Sequence, residues 1–310
     1  MIPDDVRRRR VALPGTGNEI ALQDWGGDGP LALLHHANGF CAALWAPIAE
    51  PLRDRYHVVA MDARGAGDSP LPPVGEGENP CAWDAMTDDL VGVAEILLAE
   101  TGHERLGLGL GHSFGGTLTL LAEATRPGLF ERIVAVDPVT PPPPEMLASL
   151  PPSKGLELAE RAQRRRSVWP DRAAARAHFA ERELFRSWTR QALDLYVAEG
   201  LRERADGQVE LKCSPAVEAA VFGGTGTLDV FGAVAGLQPP VLLLWARRGN
   251  FPRLAFERLA AGMTDARIED VDAGHLIPME APDVVVAAIR RFSARDRRPA
   301  RDSGEGGGGR

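Results

Sequence analysis

The sequence predicts an α/β protein with a doubly wound, mostly parallel sheet of eight strands. Two observations carry that prediction. Short, continuous apolar runs recur along the chain, as strands buried on both faces require. Between most of them lie longer segments with apolar residues at helical spacing. Strand, helix and strand in alternation make parallel βαβ units. The 310 residues suffice for one large α/β domain or two small ones.

The elements follow in order. Residues 6–13 and 20–25 read as strands joined at Pro14-Gly15-Thr16-Gly17-Asn18, a turn-rich connection. The Arg7 to Arg10 run marks the first as a solvated edge, since charge protects an edge. Leu31-Ala32-Leu33-Leu34 is a buried strand that enters His35-His36-Ala37-Asn38-Gly39-Phe40, and residues 44–52 read as a helix. Residues 57–61 form the next strand, ending in the loop Asp62-Ala63-Arg64-Gly65-Ala66-Gly67-Asp68-Ser69. Residues 82–100 place Met86, Leu90, Val93 and Leu97 on one helical face, and Gly102 stops that helix. The apolar run from Leu106 opens a further strand, residues 117–124 a helix, and residues 132–136 a strand ending at Asp137-Pro138.

The alternation then breaks. Pro141 to Pro144 is stiff and reads as a hinge. Residues 145–221 are polar and helix-rich, carry Arg161, Arg164, Arg165 and Arg166 on one stretch, and are interspersed with Trp169, Phe179, Phe185, Trp188 and Tyr196. This reads as an inserted helical lid, with Phe222-Gly223-Gly224-Thr225-Gly226 as the loop leading back. Residues 241–245, 254–261, 267–271 and 284–292 resume the strand–helix pattern. The expected organisation is a core of residues 1–140 and 236–292, a lid of residues 141–235, and a disordered, glycine-rich tail of residues 293–310.

Composition narrows the function. The chain is 44% hydrophobic and 25% charged, values of a soluble globular protein. A net charge of −8 gives no reason to expect nucleic acid as a partner. The N-terminus lacks a secretory apolar region and no stretch approaches a membrane span, so a cytoplasmic location and no membrane partner are expected. Cys41, Cys81 and Cys213 are odd in number and far apart, which argues against a disulfide scaffold or a structural zinc site.

The chemistry centres on Ser113. Gly111-His112-Ser113-Phe114-Gly115 is a G-x-S-x-G that follows an apolar strand and opens a helix. Side chains at Gly111 and Gly115 would collide in so sharp a turn. The turn lifts the Ser113 hydroxyl out of the sheet, and the Phe114 N–H at the helix start can stabilise an oxyanion. The plainer alternative is an ordinary glycine-rich strand–helix turn.

Four segments in order resemble the α/β-hydrolase fold over residues 6–292: the His36-Ala37-Asn38-Gly39 loop, the Asp62 to Ser69 loop, the Gly111 to Gly116 elbow and the Gly274-His275 loop. The resemblance implies a serine nucleophile, Ser113, with His275 as its base. A serine hydroxyl needs such a partner to accept its proton. The resemblance also places the second oxyanion donor after the His-Gly pair; here Ala37 replaces that glycine, so Asn38 takes the position, and its side chain is a further candidate. His35, His36 and His112 are read as structural, and Arg64 as pairing inward. Phe40, Trp169 and Trp188 are candidates for the substrate pocket.

One departure bears on the triad. The usual acid position follows the strand at residues 241–245, yet Ala246-Arg247-Arg248-Gly249-Asn250-Phe251-Pro252 holds no carboxylate. Asp137 is the candidate acid, because it ends a strand expected to lie beside the Ser113 strand, where such sheets carry their functional groups. The resemblance permits that placement. Asp272, Asp270 and Asp229 are the rivals. Arg247 and Arg248 are read as a solvated loop, with an acidic substrate group as the alternative.

The expected activity is hydrolysis of an ester-like bond in a small, largely apolar molecule through an acyl-enzyme, with no metal and no organic cofactor. Amides, lactones and the C–C bonds of diketones are the alternative substrates. A ligand-binding protein on the same scaffold is the alternative from another class, supported by the empty acid position.

Overall fold

The computed structural model describes residues 1–14, 17–141, 154–225 and 227–294. Its main sheet has eight strands: β1 (Arg7–Ala12), β2 (Glu19–Gly26), β3 (Leu31–His35), β4 (His57–Met61), β5 (Leu108–His112), β6 (Ile133–Val136), β10 (Val241–Ala246) and β11 (Ala266–Val271). Their order across the sheet is β1-β2-β4-β3-β5-β6-β10-β11. β1 and β2 pair antiparallel, as do β2 and β4, and every other pair is parallel. This is the fold class that the apolar runs imply.

Burial explains the strand sequences. β3, β5 and β6 are buried at every position, as expected where helices cover both faces. Along β3, Ala32 and Leu34 join one core layer, with Ile48, Leu52, Val285 and Ile289. Leu31 and Leu33 join the other, with Leu90, Val93, Leu97 and Leu118. The pleat thus divides each strand between two layers of helices. Helices α1 (Ala46–Leu52), α2 (Trp83–Thr101) and α3 (Phe114–Thr125) supply most of those side chains. Gly102 stops α2 in a left-handed conformation, φ 72°.

Between β6 and β10 the described chain leaves the sheet. Helices span Lys154–Gln163, Arg172–Ala180, Arg190–Glu199 and Pro215–Gly223. A second, three-stranded sheet orders β7 (Val168–Trp169), β9 (Val209–Leu211) and β8 (Leu201–Glu203). Sequence reading makes residues 145–221 helix-rich and expects no strand among them. The hairpin of β8 and β9 turns at Asp206-Gly207, with Gly207 at φ 80°, which is a turn signal that the helical reading passes over. Phe222 and Gly223, read as a loop, close the Pro215–Gly223 helix instead.

The inserted segment is tied to the sheet domain at several points. The Thr189 N–H donates to the Met279 carbonyl at 2.9 Å, and the Trp83 indole donates to the Val221 carbonyl at 2.9 Å. Lys212 pairs with Asp68 at 2.7 Å. Most of the proline run expected to hinge it, residues 142–144, lies outside the described residues, as do Gly15 and Thr16 of the first turn. So does the expected tail beyond Ala294. Ser293, assigned to that tail by sequence, belongs to the Pro282–Ala294 helix and hydrogen bonds Tyr56 at 2.6 Å.

Candidate active site

Ser113 sits between β5 and α3 with φ 55° and ψ −121°, a backbone that non-glycine residues rarely adopt. The turn is tight because a Cβ on Gly111 would lie 2.2 Å from the Gly115 carbonyl oxygen. One on Gly115 would lie 2.4 Å from the His36 carbonyl oxygen. Ser113 donates its N–H to the Val136 carbonyl at 2.8 Å, so the elbow hangs directly on β6.

The structure brings Ser113, His275 and Asp137 into one hydrogen-bonded row. The Ser113 Oγ lies 2.8 Å from His275 Nε2, and His275 Nδ1 lies 2.6 Å from Asp137 Oδ2. Asp137 follows β6 at φ 42° and is fully buried. Its Oδ1 accepts from the Ala246 N–H at 2.9 Å, so one oxygen faces the backbone of β10 and the other faces the imidazole. The His275 carbonyl accepts from His112 Nε2–H at 2.8 Å, which holds the loop that carries it.

None of the rival carboxylates points at the imidazole. Asp272 is exposed and pairs with Arg248. Asp270 takes a hydrogen bond from Arg253 Nε at 3.1 Å. Asp229 caps a short helix by accepting from the Gly232 N–H at 3.0 Å. Arg247 and Arg248 are both exposed on the loop after β10. Within that loop Gly249 has no room for a side chain, since a Cβ there would stand 2.7 Å from the Ala246 Cβ and 3.0 Å from Asp137 Oδ2.

The other histidines of the region are buried and held neutral. Burial pushes His35 down to about 4 and His36 to about 3; burial and the neighbouring His275 push His112 to about 3. His36 donates from Nδ1 to the Ala37 carbonyl at 2.7 Å and accepts at Nε2 from the Ala63 N–H at 2.9 Å, which fixes its tautomer. Asp62 accepts from the N–H groups of Ala42 and Asp68, and Arg64 pairs with buried Asp89, so this loop is bound up in the scaffold.

Asn38 lies in the turn after β3, and its side chain donates to the Glu218 carbonyl at 2.9 Å. One of its two amide hydrogens is therefore committed to the inserted segment. Phe114 opens α3, where the first N–H groups have no partner inside the helix. Phe40 and Trp188 meet edge to face at 5.4 Å. Trp169 does not join them; it packs against Phe179 and His178 inside the inserted segment. A cavity of about 10 Å³, room for one water at most, lies among Phe40, Trp45, His112 and Met279. Among the described residues no group of three or more His, Cys, Asp or Glu side chains could hold a metal ion, and no helix is long and apolar enough to cross a membrane.

Sequence reading missed Arg165, Tyr196 and Glu218 as neighbours of the site. Arg165 donates to Glu218 Oε2 at 2.6 Å and to the Tyr196 hydroxyl at 2.7 Å. Arg165 stands within the basic stretch, but nothing in that stretch separates it from the exposed Arg164.

Comparison with known proteins matches residues 32–288 to the model of the alpha/beta hydrolase family. The 2-(acetamidomethylene)succinate hydrolase of Mesorhizobium japonicum is 27% identical over 272 residues, 86% of this chain and 88% of that one. Among solved structures, an E-2-(acetamidomethylene)succinate hydrolase superposes with a TM-score of 0.78 at 23% identity, covering 93% of this chain and 99% of that one. The enol-lactonase of Burkholderia xenovorans superposes with a TM-score of 0.65 at 21% identity, over 92% of this chain and all of that one (100%).

Proposed function

Since the chain belongs to the alpha/beta hydrolase family, we propose that it is a serine hydrolase working through an acyl-enzyme on Ser113. The observation that carries this reading is the hydrogen-bonded row from Ser113 through His275 to fully buried Asp137. His275 Nε2 takes the Ser113 proton as Oγ attacks the substrate carbonyl. Asp137 keeps the other ring proton on Nδ1 and stabilises the imidazolium that forms. The oxyanion of the tetrahedral intermediate faces the N–H groups of Phe114 and Asn38. The intermediate collapses, and the leaving group takes the proton from His275 Nε2. A water then gives its proton to the same nitrogen and attacks the acyl carbon, which releases the acid and restores Ser113.

The substrate in this reading is a small, largely apolar ester, with the described part of the inserted segment as a lid over the site and with Phe40 of the turn after β3 and Trp188 of the lid lining the pocket between them. A second reading, hydrolysis of an amide, is favoured by one observation. The Mesorhizobium relative, similar over 86% of this chain, is named for an acetamido substrate. A fluorophosphonate probe tests the common mechanism. Wild-type protein is labelled in a one-to-one ratio and Ser113→Ala is not. Absence of wild-type labelling refutes the mechanism and favours a ligand-binding protein. A panel of matched esters and amides then separates the two substrate classes.

A further inference from the structure

The turn that carries Asn38 is held from two sides. From below, the Phe40 N–H closes onto the Ala37 carbonyl at 3.3 Å, and the Ala42 N–H reaches Asp62 Oδ1 at 2.7 Å. From above, two groups of the inserted segment reach down. The Glu218 carbonyl accepts from the Asn38 side chain at 2.9 Å, and the Tyr196 hydroxyl donates to the Gly39 carbonyl at 3.2 Å. Gly39 itself has φ 81°, and a Cβ there would stand 3.0 Å from Glu218 Oε1. The Asn38 side chain and the Gly39 carbonyl are thus both held by the segment that lies over them.

The two upper contacts share one anchor. Arg165 donates to Glu218 Oε2 at 2.6 Å and to the Tyr196 hydroxyl at 2.7 Å, with both charged side chains largely buried. The hydroxyl accepts from Arg165 and so turns its own proton toward the Gly39 carbonyl. The guanidinium therefore sets the direction of the bond that holds the turn. Phe40 adds apolar contacts, edge to face, with Trp188 and Tyr196.

We propose that Arg165, Glu218 and Tyr196 are positioning residues that hold the Asn38 N–H in place as an oxyanion donor, so that the inserted segment completes the hole. The proposal rests on the serine-hydrolase reading above. Loss of a whole oxyanion donor lowers the rate by about 10² to 10³, and a donor left present but loosened loses a part of that, about tenfold.

The experiment measures the second-order rate of fluorophosphonate labelling in wild type, Tyr196→Phe and Glu218→Gln, with thermal melting of each. Tyr196→Phe keeps the ring and removes only the donor to Gly39; Glu218→Gln keeps the shape and removes the charge that orders Arg165. The expected result is about tenfold slower labelling in both, at a temperature well below melting, while binding of an aromatic ligand that forms no adduct stays unchanged. Wild-type labelling rates in both variants, with or without a lower melting temperature, overturn the proposal and leave the mechanism standing. If wild type itself resists labelling, the mechanism falls and this proposal with it.

Discussion

Replacing Asp137 with asparagine isolates the part of the site that rests on a single side chain. The carboxylate now meets two donors, the Ala246 N–H at Oδ1 and His275 Nδ1–H at Oδ2. Asparagine has one acceptor oxygen and one NH₂. If its oxygen takes the Ala246 N–H, the NH₂ faces the ring, and His275 must move its proton to Nε2. That tautomer cannot accept the Ser113 proton, and kcat falls about 10⁴-fold, or about 5.4 kcal/mol in the barrier. If the oxygen faces the ring, two N–H groups meet at Ala246 in a fully buried place, which costs about 1–3 kcal/mol of stability. The first arrangement avoids that clash, so activity suffers more than stability. The assay is steady-state turnover of a substrate found by the ester and amide panel, corrected by active-site titration, beside thermal melting. Near wild-type kcat in Asp137→Asn, with Asp272→Asn inactive, refutes the reasoning and hands the role to Asp272.

Three other perturbations have definite outcomes. Gly115→Ala drives a methyl to within 2.4 Å of the His36 carbonyl oxygen and 2.5 Å of His35 Nδ1, so it should lose at least about 3 kcal/mol in denaturant unfolding; a loss under 1 kcal/mol contradicts the tight turn. His35, His36 and His112 have folded-state values below the usual imidazole value, so the unfolded chain binds more protons and stability is lost as pH falls from about 6.5 towards 4. Asp62, raised to about 6 by burial, opposes part of that slope. His36→Gln can make the same two hydrogen bonds and should flatten the melting-temperature profile over that range; an unchanged profile refutes the assignment. Trp188→Ala should alter the substrate profile, because its ring meets Phe40, whereas Trp169→Ala should cost about 3–5 kcal/mol and leave the profile alone. The reverse pattern would place Trp169 at the pocket.

The sheet was legible because parallel strands buried on both faces must be apolar throughout, as 31–34, 58–61 and 241–245 are. The elbow was legible because its glycines answer a local steric demand that sits in consecutive residues. The inserted segment was less so. Its β7 is two residues long and β8 and β9 are three each, too short for alternation to register, and only Asp206-Gly207 marked the turn between β8 and β9. The contacts of Asn38 were beyond reach for another reason. Its partner Glu218 is 180 residues away and is met through a backbone carbonyl, which leaves no trace in side-chain identity.

In β5 and β6, His112 lies opposite Val136 in the parallel register, and the residues that follow are Ser113 and Asp137. Two groups of the proposed triad are therefore the next rungs of one backbone ladder, and their separation is set by the strand spacing rather than by how a loop folds. In most members of such a family the acid rides on the loop after the strand corresponding to β10, so changes in that loop move it. Here the loop at residues 247–252 is released from that duty, except where Gly249 must stay small beside Asp137. It becomes ground on which insertions and new side chains can be tried without disturbing the alignment of nucleophile and acid.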